Sequence, residues 1–124
     1  MAPLPPKFKK QKLWTSKQAD EKFSKWIIER DGRKCANCGR GSHLTNSHYW
    51  GRSNSATRYD PDNCDTLCWM PCHVSWEKQK QGDYMQFKLR QLTKIGYDSL
   101  EKRGRSIMKR EDAIIACMKL LGAI

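Results

Sequence analysis

Residues 35–73 read CANCGRGSHLTNSHYWGRSNSATRYDPDNCDTLCWMPCH, and the cysteines at the two ends of that stretch decide the fold. Structural zinc takes four soft ligands in a tetrahedron, and two short-spaced cysteine pairs far apart in sequence are its usual supply. Cys35 and Cys38 form a tight first pair, followed by Gly39, which suits the turn that brings backbone amides up to a thiolate. The second pair is Cys68 and Cys72, with three residues between them. Cys64 lies four residues before Cys68, so spacing alone leaves a Cys64/Cys68 pairing open; Cys68 and Cys72 are preferred because Cys64 falls inside an expected strand. No signal-peptide pattern opens the chain, and close pairs of this kind suit a metal better than a disulfide. Cys117, in an apolar C-terminal stretch, reads as a small core residue.

Outward from the cysteines the pattern is a hairpin followed by a helix. The segment LTNSHYW (44–50) reads as a short strand, GRSNSATRYDPD (51–62) as a polar loop, NCDTLC (63–68) as the returning strand, and PCHVSWEKQKQ (71–81) as a helix start with Pro71 in its first turn. That arrangement sets His48 on a strand and His73 on a helix, facing each other across a cleft. N-terminal to the knuckle, Thr15 and Gln18 have capping-box spacing, Ala19, Phe23, Trp26 and Ile27 share one helical face, and Gly32 can end the helix. That face is expected to pack on the zinc centre. After His73 the chain stays helical, with Tyr84, Leu92 and Ile95 on one face, a break at Gly96, and a last amphipathic segment through Ile114, Met118 and Leu121. Closing the core is the expected use of that last face, and a dimer seam is the alternative.

The order knuckle, His48, Asn63, second cysteine pair and His73 resembles the HNH endonuclease motif. The resemblance implies a ββα-metal site in which the first histidine activates water, the asparagine holds the site together and the last histidine helps carry a divalent metal. It narrows to the NinG-like phage recombination proteins through three segments: ADEKFSKWIIERDG (19–32) before the knuckle, SHYWGRS (47–53) around the first histidine and ATRYDPDN (56–63) around the asparagine. KLRQLTKIGYDSLEKR (88–103) is similar to that family's C-terminal helices, so the likeness runs from Lys17 to Lys102. On this pattern His48 is the general base and His73 a ligand of a catalytic Mg²⁺, Mn²⁺ or Zn²⁺, while Asn63 either ligates that ion or braces the loop. Two positions depart from it. Residue 73 is histidine where the NinG-like pattern commonly has asparagine, which is closer to the general HNH consensus. Residue 47 is serine where many HNH enzymes place a metal-binding aspartate, so Asp60, Asp62 or water is expected to supply the missing oxygen.

Charge names the partner. Lysine and arginine number 24 against 13 acidic residues, a net charge of +11 on 124 residues, and phosphate is the natural counter-surface for so large a positive field. A membrane is a poorer partner, because the chain has no long apolar run and no basic cluster beside a lipidation motif. Arg52, Arg58, Lys78 and Lys80 are the candidate DNA-phosphate contacts. Tyr49, Trp50 and Tyr59 either stack on bases or, more simply, pack. Residues 1–14, proline-rich and then lysine-rich, read as a flexible basic arm or an ordinary terminus.

The expectation is therefore one α+β domain over residues 15–124: a helix at 15–31, a zinc-stabilised HNH core at 35–80 and C-terminal helices at 83–121. Its core is too small to be secure without structural Zn²⁺. The expected function is that of a metal-dependent DNA endonuclease, monomer or homodimer, cytoplasmic, in the host cell if phage-encoded. A zinc-dependent DNA-binding module without chemistry, and an interaction protein with incidental charge, are the alternatives.

Overall fold

The computed structural model describes residues 12–76 and 81–124. Most of the expected basic arm lies outside the described residues, as do Lys78 and Lys80.

Helix α1 spans Ser16–Arg30 and both of its ends are fixed as the sequence implies. The Thr15 hydroxyl accepts from the Gln18 N–H at 3.1 Å while Gln18 Oε1 accepts from the Thr15 N–H at 2.9 Å, which satisfies two amides that the first turn leaves over. At the other end Gly32 takes φ +72°, donating to the Glu29 carbonyl, and Arg33 N–H reaches back to Ile28, the paired bonds of a Schellman stop. The end of α1 is also clamped to the hairpin. The Arg30 guanidinium donates to the carbonyls of Pro61 and Cys64, each at 2.7 Å, and Asp31 Oδ2 accepts from the Thr66 N–H at 2.9 Å.

Strands β1 (Leu44–His48) and β2 (Cys64–Cys68) form an antiparallel hairpin in which Asn46 faces Thr66, Ser47 faces Asp65 and His48 faces Cys64. The polar loop between them is not structureless. It holds a single helical turn, α2 (Ser55–Arg58), and a 3₁₀ turn (Pro61–Asn63). All five residues of β2 are buried, because the strand is covered on both sides. With a side-chain period of two, Cys64 and Thr66 point toward α1, where the Thr66 hydroxyl donates to the Ile27 carbonyl, and Asp65 and Leu67 point the other way, toward the third helix.

After β2 comes a π-type turn, Trp69–His73, in which Met70 is extended, and then helix α3, Gln81–Gly104. The expected break in α3 at Gly96 falls instead at Thr93, whose φ of +64° interrupts the helix three residues earlier. Gly96 stays helical, and a Cβ there would come within 3.1 Å of Leu92 Cβ. The interruption resets the helical phase, so the expected Tyr84–Leu92–Ile95 face is not continuous. Tyr84 is buried, Ile95 is 85% exposed, and Tyr97 and Leu100 take up the inward positions. Helix α4 (Arg110–Leu120) follows and turns Ala113, Ile114, Cys117 and Met118 inward.

Two apolar clusters result. In the first, Ala19, Phe23 and Ile27 of α1 meet Tyr59, Cys64 and the buried face of α4, so the C-terminal helix closes core as expected. The apolar face of α1 thus packs on Tyr59, Cys64 and α4 and not on the cysteine centre, because Cys35, Cys68 and Cys72 belong to the second cluster, with Leu67, Trp76 and Tyr84. Among the described residues no helix is long and apolar enough to cross a membrane.

Candidate functional site

The knuckle between α1 and β1 delivers the first two cysteines. Gly39 takes φ +80° and donates to the Cys35 carbonyl, and the Cys38 N–H points at Cys35 Sγ at 3.5 Å. Cys68 ends β2, and Cys72 lies in the π-type turn. The ligand atoms of Cys35, Cys38, Cys68 and Cys72 all lie within 4.8 Å of one another. The Cys38 and Cys68 sulfurs are 3.7 Å apart, far beyond a disulfide bond but matching the edge of about 3.8 Å that a tetrahedron with Zn–S bonds of ~2.3 Å would have. Four thiols gathered within 4.8 Å of one another could hold a metal ion such as zinc. Asn37 Nδ2 donates to Cys72 Sγ at 3.2 Å, the kind of outer hydrogen bond that orients a ligand sulfur. Burial pushes the Cys35 thiol up, yet surrounding amides, that of Cys38 foremost, bring it down to about 7. Cys72 is pushed up to about 12, chiefly by burial. Cys64 stands apart in the first apolar cluster, where burial raises its thiol well above the ordinary range.

His48 and His73 line one cleft of about 400 Å³, together with Asp20, Ser24, Asn46 and Arg52. His48 Nε2 lies 3.0 Å from the Arg58 carbonyl. A carbonyl only accepts, so the proton is on Nε2 and the lone pair is on Nδ1. Burial is the main cause that lowers the His48 pKa to about 4, with Arg52 and Arg58 adding repulsion against the opposing pull of the Arg58 carbonyl and Asp20. The ring is therefore neutral at physiological pH. His73 is oriented by a relay: the Thr45 hydroxyl donates to the Leu67 carbonyl at 2.7 Å and receives the His73 Nδ1 proton at 2.6 Å. That bond fixes the orientation of the ring where it lines the cleft.

Asn63 does not line the cleft. It is fully buried behind it, where Oδ1 accepts from the Trp50 N–H at 2.7 Å and Nδ2 donates to the carbonyls of Trp50 and Thr57, each at 3.0 Å. Its side chain ties the loop after β1 to α2, the bracing alternative. Ser47 is 2% exposed and points to the α3 side of the hairpin, away from His48, as strand alternation requires. The expected oxygen donors Asp60 and Asp62 are not at the cleft either. Both are held by the Arg103 guanidinium, at 2.5 and 3.0 Å.

Of the expected phosphate contacts, Arg52 borders the cleft with its side chain 65% exposed. Arg58 is committed elsewhere, its guanidinium gripping both oxygens of Asp20 at 3.0 and 2.6 Å. That pairing and the Tyr59 hydroxyl hold the Asp20 carboxyl below the ordinary range although burial pushes it up. Tyr49, Trp50 and Tyr59 pack: the Tyr49 and Tyr97 hydroxyls are 2.8 Å apart, Trp50 lies so close on Gly104 that any Cβ there would collide with the indole, and Tyr59 is buried against Phe23.

Sequence reasoning missed Asp20, Ser24 and Asn46 as cleft residues. The signals were present: Asp20 and Ser24 are one helical turn apart, and Asn46 shares a strand face with His48. Asn46 Nδ2 donates to Ser24 Oγ at 3.4 Å, whereas Asn46 Oδ1 is buried and meets no hydrogen-bond donor among the described residues. No protein-family model, no curated protein and no solved structure matches this chain.

Proposed function

We propose that this chain is a metal-dependent DNA endonuclease of the HNH ββα-metal kind, with structural zinc in its four cysteines and a divalent ion in the cleft beside His73. The observation that carries the reading is the state of His48. A histidine with its Nε2 proton pinned on a carbonyl and its ring kept neutral by burial keeps Nδ1 as a proton acceptor, and the residue lines the same cleft as His73. A bound divalent ion supplies Lewis-acid stabilisation of charge on the phosphate and on the departing 3′ oxygen. His48 Nδ1 removes a proton from water as its oxygen attacks phosphorus. The bond from phosphorus to the 3′ oxygen breaks, that oxygen takes a proton from solvent, and a 3′-hydroxyl and a 5′-phosphate remain. Arg52 meets a flanking phosphate, and Asn63 keeps the loop that carries Arg52 in place. The net charge of +11 favours a polyanionic substrate. The NinG-like pattern adds a phage recombination setting and branched DNA, on likeness alone.

The test is incubation of pure protein with supercoiled plasmid and with a four-way junction in Mg²⁺, Mn²⁺, Zn²⁺ or EDTA. Metal-dependent nicking or cutting is expected, and His48→Ala should slow it by about 10²- to 10⁴-fold with zinc content and DNA affinity unchanged. Salt-sensitive binding without cutting in every metal would leave the zinc-dependent binding module as the better account. A His48→Ala variant that cuts at the wild-type rate would remove His48 as the base.

A further inference from the structure

We infer that Asn46 supplies, through Oδ1, an oxygen ligand to the divalent ion of the cleft, beside His73. The inference rests on the nuclease reading above, and it starts from a shortage. An imidazole alone makes a poor site for a hard cation, which wants oxygen. Among the described residues the cysteine tetrad is the one group of three or more His, Cys, Asp or Glu side chains close enough to hold an ion, so the cleft has no ready carboxylate cage. Ser47 is turned to the far side of the hairpin, and Asp60 and Asp62 belong to Arg103. Asp20 does line the cleft, but its two oxygens already take two bonds from Arg58 and one from Tyr59.

Asn46 is in the opposite condition. The period of a strand puts it on the His48 face, and its Nδ2 is used by Ser24 Oγ, leaving Oδ1 buried and without a donor. A buried carbonyl oxygen left without a partner is costly, so the fold retains here an acceptor that a ligand would satisfy. An amide oxygen is a hard neutral donor. One such oxygen, one imidazole and several waters is the sparse protein shell that Mg²⁺ or Mn²⁺ commonly accepts, and it leaves coordination positions for phosphate.

Mn²⁺ binding to the zinc-loaded full chain, followed by the loss of the free-ion electron paramagnetic resonance signal, separates this inference from the nuclease reading because it needs no turnover. Asn46→Ala should weaken Mn²⁺ by about tenfold or more, and Asn46→Asp, which keeps the shape and adds a charge, should tighten it by a similar factor. His73→Ala should also weaken it, which marks the site as the cleft and not a surface carboxylate. Circular dichroism and zinc content, unchanged in Asn46→Asp, guard against misfolding. Mn²⁺ affinity unmoved in both Asn46 variants while His73→Ala loses it would overturn the role of Asn46 and leave the nuclease reading intact. Paired loss and gain in a chain that cuts no DNA would keep the ion site and remove the nuclease.

Discussion

Burial governs the state of His48. An exposed imidazole titrates near ~6.5, whereas this ring is lowered to about 4 because its charged form would lose water and face two arginines. The folded chain holds the ring neutral above about 4, whereas the unfolded chain protonates it below ~6.5. Stability contributed by the neutral ring is therefore complete above ~6.5 and is lost as pH falls from there toward 4. Cutting at saturating metal should accordingly lack an inflection at ~6.5 and vary less than about twofold between about pH 5 and 7, declining only nearer 4. Initial nicking rates across that range are the measurement. A half-maximal rate near ~6.5 would mean that water reaches the ring. Sequence carried the identity of His48 but not this property, because the groups that act on the ring, the Arg58 carbonyl and the charges of Asp20, Arg52 and Arg58, come from outside the strand.

At the scale of elements, what was legible depended on whether a signal was local. The capping box of α1, its glycine stop, the two strands and the choice of Cys68 with Cys72 all rest on neighbours in sequence, and they stand in the structure. The missed features rest on tertiary partners. Nothing local to Lys88 signals burial, yet its side chain and that of Asp65 are 0% and 1% exposed, 2.8 Å apart. The pair is fully dressed: Lys88 also donates to Gln91 Oε1 and to the Asp62 carbonyl, while Asp65 accepts from the Tyr84 hydroxyl at 3.0 Å and Gln91 Nε2 at 2.8 Å. This network fastens the first half of α3 to β2, and the interruption at Thr93 lets the second half bring Tyr97 to Tyr49. Lys88→Met should lower the unfolding free energy by about 3–5 kcal/mol in urea, since it strands a buried carboxylate, and adding Asp65→Asn should recover part of that loss because the amide keeps its neighbours. A loss below about 1 kcal/mol for Lys88→Met would show that Asp65 is hydrated.

At the scale of the molecule, the cysteine tetrad joins three parts: the knuckle after α1, the end of β2 and the turn that carries His73. The larger cluster gathers α1, Tyr59, Cys64 and α4, whereas the side bearing Cys35, Cys68 and Cys72 has few large aliphatic side chains and leans on Trp76 and Tyr84. An ion held by four thiolates would therefore supply folding energy where burial is thin, and it would fix Cys72, whose neighbour His73 borders the cleft. Purified protein should carry one zinc per chain by elemental analysis, and Cys35→Ser, Cys38→Ser, Cys68→Ser or Cys72→Ser should lose it and unfold or aggregate. Cys64→Ser should retain it, because Cys64 lies in the other cluster and its change buries a hydroxyl at a cost of only about 1–3 kcal/mol. Chelation distinguishes the two metals. After EDTA treatment, Mg²⁺ alone should restore neither the thermal transition nor cutting, whereas Zn²⁺ should restore the transition and Zn²⁺ with Mg²⁺ both. Full recovery of the fold in Mg²⁺ without zinc would mean that the four thiols hold no structural ion and that the two apolar clusters suffice to fold the chain.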